Sequence, residues 1–170
     1  MIKEQILEKH TMAVLVDNEA GVLARVVGLF SGRGYNIESL TVSETEHQAH
    51  LSRITIVTNG TPMVITQIKA QLERMVPVHQ VWDLTVEGPY IERELALVKV
   101  KGRGEMRVEA LRLADAFKAR VVDATIESFV FELTGKSRKI EQFIALMKPV
   151  GLVEVTRTGV VAIGRGSEGL

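Results

Sequence analysis

The fold of this chain follows from one stretch near its start, MAVLVDNEAGVLARVVGLF, which covers residues 12–30. Its first five residues form a continuous apolar run rich in branched side chains, which is typical of a buried strand. Turn and capping residues follow at Asp17–Gly21. Apolar side chains then recur at helical spacing up to Phe30, and the glycines Gly32 and Gly34 end that helix. The stretch therefore predicts a strand, a tight turn and a helix.

Two strands, a helix and a last strand complete the first half of the chain. Alternating apolar residues predict strands at residues 35–44, 51–58 and 76–86. The breaker Asn59–Pro62 starts a helix, and an apolar stripe from Val64 to Met75 marks its buried face. The predicted order is β-α-β-β-α-β, which is the split βαβ arrangement of ferredoxin-like domains.

The same order recurs after a polar joint at residues 87–94. The second half contains five predicted strands, at residues 95–100, 120–126, 128–134, 152–155 and 160–163. Helical stripes lie between them, and Pro149 is predicted to stop the second helix. The predicted fold class is α+β, with two tandem ferredoxin-like (βαββαβ) domains at residues 10–88 and 95–165. Residues 166–170 form a short tail that is expected to fray.

Composition limits the classes of function. The 21 basic and 21 acidic side chains cancel, so no overall field draws the chain to nucleic acid or to an anionic membrane. The absence of cysteine excludes disulfides, thiolate catalysis and zinc–thiolate sites. The start mixes charges, and the early apolar run Met12–Val16 is far shorter than the roughly 20 residues of a spanning helix. We therefore expect a cytoplasmic protein. Because domains of roughly 70–80 residues bury little surface and leave sheet edges free, we also expect an oligomer.

The first turn has the chemistry to hold a free amino acid. A helix N-terminus presents free N–H groups and a partial positive charge, which favour a carboxylate. Gly21 lets a ligand approach the backbone, and the amide of Asn18 can both donate and accept hydrogen bonds. Physics alone favours a plain strand-to-helix turn, because Asn and Gly are common in any such turn.

Longer motifs carry a family resemblance that covers about residues 10–165. The first turn resembles the signature of ACT domains, which are small-molecule-binding regulatory modules. GLFSGRGYNIESLTV at residues 28–42, ERELALVKV at 92–100 and RTGVVA at 157–162 resemble the small regulatory subunits of acetolactate synthase. This chain departs from many members at Ala20, where they carry Pro or Ser.

The resemblance implies an ACT-domain homodimer with its sheets side by side and valine in the interface. One protomer would supply Asn18, Ala20, Gly21, Val22 and Leu23, and the facing protomer would supply Asn36 and Ile37. The preferred effector among valine, leucine and isoleucine stays open.

The resemblance also implies that the chain is not an enzyme by itself. The sequence shows no Ser–His–Asp order, clustered carboxylate pair or metal constellation, so no catalytic or metal-binding residues are expected. By the same resemblance, the chain would activate the catalytic subunit of acetolactate synthase and confer feedback inhibition by valine in branched-chain amino-acid biosynthesis. Thiamine diphosphate, FAD and magnesium would belong to that catalytic subunit. The C-terminal domain, whose first turn has no Asx residue before its glycines, would help to contact that subunit.

Other readings of the residues remain possible. The chain could be a stand-alone ACT-type regulator, although no DNA-binding helix-turn-helix or basic stripe is visible. A small ferredoxin-like hydrolase would need an anion-binding Arg and a water-positioning Asn; Arg25 and Asn18 are candidates, but their surroundings match a sensor better. His47 and His50 have the spacing of metal ligands on a helix, but they lie in a probable hairpin, so a solvated turn is the better interpretation.

Overall fold

The computed structural model describes residues 6–45 and 49–170. These residues form two compact units, each with its own hydrophobic core. The first unit comprises the described residues up to Ile91 together with Val160–Leu170, and the second unit is Glu92–Gly159. None of the helices in these ranges is long and apolar enough to cross a membrane.

The first unit is a four-stranded antiparallel sheet in the order β2-β3-β1-β4. Its elements, in chain order, are β1 (Glu8–Asp17), α1 (Val22–Gly32), β2 (Asn36–Glu44), β3 (Leu51–Gly60), α2 (Pro62–Glu73), β4 (Val78–Asp83) and the one-turn helix α3 (Leu84–Glu87). The predicted β-α-β-β-α-β order is confirmed.

The second unit repeats this arrangement with the strand order β6-β7-β5-β8. Its elements are β5 (Tyr90–Lys101), α4 (Glu105–Ala116), β6 (Arg120–Ala124), β7 (Ser128–Gly135), α5 (Ser137–Gly151) and β8 (Leu152–Arg157). A last strand, β9 (Val161–Gly164), follows and pairs with β5. The predicted α+β class with two βαββαβ units is confirmed.

Several element bounds differ from those predicted: β5 already begins at Tyr90, within the predicted joint at residues 87–94, and β6 ends at Ala124. Two further differences have a clear physical cause. The strand predicted for residues 76–86 stops at Asp83, because its carboxylate accepts a hydrogen bond from the N–H of Thr85 at 3.2 Å and begins α3. Helix α5 does not stop at Pro149 but continues to Gly151. Proline at this position removes one hydrogen bond within the helix, but the buried Val150 packs the last turn into the second core.

The first core explains why residues 12–30 decide the fold. Met12, Val14 and Val16 alternate along β1 and face the helices. Val22, Val26 and Phe30 recur every four residues along α1 and meet them. Complete burial of each large apolar side chain contributes about 1.5–3 kcal/mol, so this strand–helix pair supplies much of the first core.

The opposite face of the first sheet is covered by the chain's own C-terminal segment. Val160 and Ala162 are buried there against Ala13, Val57 and Leu84. Leu170, in the tail that was expected to fray, also packs against this cluster. The sequence places residues 160–163 in the predicted C-terminal domain, whereas in the structure Val160–Leu170 is part of the first compact unit, although β9 pairs with β5.

Hydrogen bonds fix this segment to β2 and β3. The N–H of Val160 donates to Ser39 Oγ at 2.8 Å, and Thr41 Oγ1 donates to the carbonyl of Val160 at 2.9 Å. The guanidinium of Arg53 donates to the carbonyl of Ala162 at 2.6 Å, and burial lowers the pKa of Arg53. Strand β2 is therefore held from the outer face of the sheet by residues more than a hundred positions away.

A buried histidine lies between two carboxylates where β1 begins and β4 ends. His10 is 6% exposed, and its Nδ1 lies 2.6 Å from Asp83 Oδ2 while its Nε2 lies 3.0 Å from Glu8 Oε2. Burial lowers the pKa of His10, but the hydrogen bonds to Glu8 and Asp83 outweigh it, so the pKa of His10 is raised. The protonated imidazole therefore stabilises the folded first unit.

The free energy of unfolding of the first unit should depend on pH through His10. Because the folded pKa is above the unfolded value of about 6.5, the stabilisation is complete below that value and is lost as pH rises through the folded pKa. The free energy of unfolding of this unit can be measured by urea titration, followed by the fluorescence of Trp82, the only tryptophan in the sequence. The His10→Gln variant should lose less free energy of unfolding as pH rises than the wild type does. The control variant His50→Gln, which changes an exposed histidine, should show the wild-type loss. An equal decline in all three proteins would contradict the assignment.

Candidate effector site

The turn between β1 and α1 leaves open space beside its glycine. Gly21 has φ +84° and ψ −9°, a left-handed conformation that side-chain-bearing residues rarely adopt. A Cβ added at this position would meet nothing within 4 Å. The carbonyl of Gly21 accepts a hydrogen bond from the N–H of Arg25 at 3.1 Å and so begins the helix. A small ligand can therefore reach the backbone at the start of α1.

The start of α1 keeps its positive partial charge. Among the described residues no side chain caps this helix, and its first turn has no acidic residue. The N–H of Val22 bonds to the carbonyl of Glu19 at 3.3 Å, which is a long hydrogen bond. Uncapped N–H groups together with the helix dipole favour a carboxylate at this position.

The predicted site residues of this turn differ in what they expose. Asn18, Ala20 and Gly21 are exposed, and Leu23 presents 39% of its surface. Val22 is 5% exposed and belongs to the first core, so only its backbone is available to a ligand. Asn18, Ala20, Gly21 and Leu23 are therefore all accessible from solvent at this turn.

Asn18 ties the turn to the end of β2. Its backbone N–H donates to the carbonyl of His50 at 2.8 Å, and its Nδ2 donates to Glu44 Oε1 at 2.7 Å. Because Nδ2 is used in this way, the amide oxygen of Asn18 remains as an acceptor. Glu44 is not among the predicted site residues, since an acid at a strand end carries no signal until the strand order places it beside the turn.

Asn36 and Ile37 lie at the opposite end of β2 from this turn. Asn36 pairs with Asn59 on β3, whereas Glu44 pairs with Ser52. Eight residue steps along a strand correspond to about 26 Å, so one chain cannot bring Asn36 to its own Asn18. Asn36 is exposed, and Ile37 is half-buried against the first core.

Strand β2 is an edge of the first sheet. Over residues 6–45 and 49–170 its only strand partner is β3, so its outer N–H and C=O groups face away from the sheet. The register shifts between Ile37 and Ser39, a bulge of the kind that often marks edges and sites. An exposed edge of this kind can pair with a strand from another chain.

The corresponding turn of the second unit differs from the Gly21 turn in its backbone conformation and in its charge. Gly104 precedes α4 with φ +62° and so shares a positive φ with Gly21, but its ψ of −128° differs from the −9° of Gly21. In addition, Arg103 forms an ion pair with Glu127, and the N–H of Gly102 donates to the carbonyl of Glu127 at 2.8 Å. The basic loop is therefore neutralised within the unit.

Other clusters of ionisable groups are already paired. A cavity of about 480 Å³ near the start of β1 is lined by His10, Asp83 and Lys69, among other residues. The first two bond to each other, and Lys69 pairs with Glu87. Within the part of the chain that the structure describes, no group of three or more His, Cys, Asp and Glu could hold a metal. His47 lies outside this part, and His50 is exposed.

Two family profiles together match most of the chain. A profile described as an ACT domain like that of the AHAS small subunit matches residues 12–80. A profile described as the small subunit of acetolactate synthase matches residues 93–166. Each profile therefore covers one of the two βαββαβ repeats.

Individual relatives match over nearly their full length. A probable acetolactate synthase small subunit from Archaeoglobus fulgidus is 47% identical over 160 residues, which cover 94% of this chain and 99% of that protein. The small subunit of acetolactate synthase isozyme 3 from Escherichia coli is 43% identical over 161 residues, 94% of this chain and 98% of that protein. The crystal structure of the Thermotoga maritima small subunit superposes with a TM-score of 0.83 at 37% identity and covers 95% of this chain and 99% of that one. With its ACT-type first unit, the chain belongs to the acetolactate synthase small-subunit family.

Proposed function

We propose that this protein activates the catalytic subunit of acetolactate synthase and confers feedback inhibition by valine. The observation that carries the proposal is the open, uncapped turn at Gly21, held beside the free edge of β2 by the Asn18–Glu44 hydrogen bond. Membership of the acetolactate synthase small-subunit family supports the regulatory role. The open turn at Gly21 supports a small amino acid as the effector.

A homodimer through β2 would complete the site. Leu40 lies four residues from both Asn36 and Glu44, so it is the midpoint of the strand. Antiparallel pairing of two β2 strands about this midpoint would place Asn36 of the partner subunit opposite Glu44. The partner's Asn36 would then lie near the Asn18 turn. Two-fold symmetry would generate two equal sites from this one contact.

The chemistry of the turn fits a small zwitterion. The carboxylate would meet the N–H groups at the start of α1, and the ammonium would meet the amide oxygen of Asn18. The isopropyl group would pack between Leu23 of the same protomer and Ile37 of the partner subunit. Charge-assisted bonds contribute about 1.5–3 kcal/mol each, and burial of the isopropyl group adds about 2 kcal/mol. After the costs of ordering, a Kd on the order of micromolar to millimolar is expected.

Regulation requires valine to bind one state of the assembly more tightly than the other. The paired ACT domains form the element that would change, because the effector bridges them. The second unit would help to contact the catalytic subunit, which would carry the thiamine diphosphate, FAD and magnesium. Without valine the small subunit would activate that partner, and with valine it would inhibit it.

Calorimetry of the purified full chain with valine, leucine and isoleucine tests the effector, and reconstitution with a catalytic subunit tests the regulation. We expect valine binding and valine-dependent loss of the stimulated activity. Valine binding without any effect on a catalytic subunit would instead favour a stand-alone amino-acid-sensing regulator. Absence of binding to all three amino acids would contradict the proposal.

Gly21→Asp should raise the Kd for valine by at least about 100-fold. The new side chain would occupy the open space, and its charge would repel the effector carboxylate. Gly104→Asp is the matched control, because it places the same residue at a positive-φ glycine before a helix in the second unit. Both variants should lose stability, but only the first should lose valine sensitivity. Equal losses of binding would show that backbone strain, and not the pocket, is responsible.

A mixing experiment tests whether two protomers share each site. Asn36→His should weaken binding roughly tenfold. In a heterodimer of Gly21→Asp and Asn36→His chains, one site carries both changes and the other carries neither. Co-expressed variants in random pairs should therefore recover wild-type affinity at about a quarter of the wild-type number of sites. No recovery in verified heterodimers would contradict a shared site.

A further inference from the structure

We infer that Glu44 is the ammonium-recognising carboxylate of the effector site, so that the site selects ligands with a free amino group. The inference rests on the proposed function, because it names a specificity residue in the same site. Its starting observation is the 2.7 Å hydrogen bond from Asn18 Nδ2 to Glu44 Oε1.

The hydrogen bond orients both acceptors of the pair. Because Nδ2 of Asn18 is directed to Glu44, the amide oxygen is fixed on the other side of the same amide group. This bond uses only one of the two carboxylate oxygens of Glu44, and a carboxylate accepts several bonds. An ammonium group has three donors, so it can bond to the amide oxygen and to the carboxylate at once.

The charge of Glu44 is uncompensated within the described ranges. No Lys, Arg or His there forms an ion pair with it, whereas Asp17, at the same end of the sheet, lies 2.5 Å from His79 Nε2. Glu44 is also exposed in the single chain, so an approaching ligand can reach it. The end of β2 therefore presents an available negative charge.

The two ends of the turn have opposite polarity. The uncapped start of α1 is positive, and Glu44, linked to the turn through Asn18, is negative. A free amino acid carries its carboxylate and its ammonium on one carbon, so it matches this arrangement in one orientation. Pairing of two β2 strands would exclude water from the site and strengthen the attraction between Glu44 and the ammonium.

The test compares Glu44→Gln with Glu19→Gln by calorimetry on the full-length protein. Glu19 is an exposed acid of the same turn, and no hydrogen bond links its side chain to Asn18 among the described residues. Removal of the charge at residue 44 should raise the Kd for valine roughly tenfold, since charge-assisted hydrogen bonds are about twice as strong as neutral ones. Glu19→Gln should change the Kd less than about threefold, which is the screened effect of a nearby surface charge.

A second ligand separates this inference from the proposed function. The probe is 3-methylbutanoate, which is valine without its amino group, measured by competition. The wild-type protein should bind valine much more tightly than 3-methylbutanoate. In Glu44→Gln the ratio of these two affinities should be smaller. If wild type binds valine and Glu44→Gln leaves both its affinity and its preference unchanged, the role of Glu44 is wrong while the proposed function stands. Equal losses of valine affinity in Glu44→Gln and Glu19→Gln would also contradict the role of Glu44. If the wild-type protein does not bind valine, the proposed function itself is wrong.

Discussion

The left-handed conformation of Gly21 is the constraint on which the rest of this structure depends. It lets β1 turn directly into α1, so that the alternating side chains of the strand and the four-residue repeat of the helix meet in one core. It also leaves the helix start without a side chain over it. The same backbone angle therefore builds the first core and opens the proposed site, and a side chain at this position would disturb both.

The arrangement of the first sheet determines which part of it a partner can use. The helices cover one face, and the C-terminal segment with Val160 and Ala162 covers part of the other. Hydrogen bonds of the Ser39 and Thr41 side chains with that segment hold β2 in place, while no strand among residues 6–45 and 49–170 pairs with its outer edge. A held but unpaired edge beside the Asn18 turn is the physical basis for placing the proposed dimer at β2.

The sequence predicted the local elements because hydrophobic period and turn residues act over short distances. Both βαββαβ repeats could be predicted in this way, whereas the end of β4 could not, because it depends on a cap formed by Asp83. The placement of residues 160–170 on the first unit depends on contacts across more than a hundred residues, which no periodicity encodes. Glu44 was missed for the same reason: its importance comes from strand order, and its link to Asn18 spans 26 residues.

The most direct test of the central claim is a crystal structure of the full chain grown with valine. The account predicts valine between the Gly21 turn of one protomer and Asn36 of the partner subunit, with its carboxylate at the start of α1 and its ammonium at Asn18 and Glu44. Valine bound elsewhere, or two β2 strands that never approach each other, would contradict it.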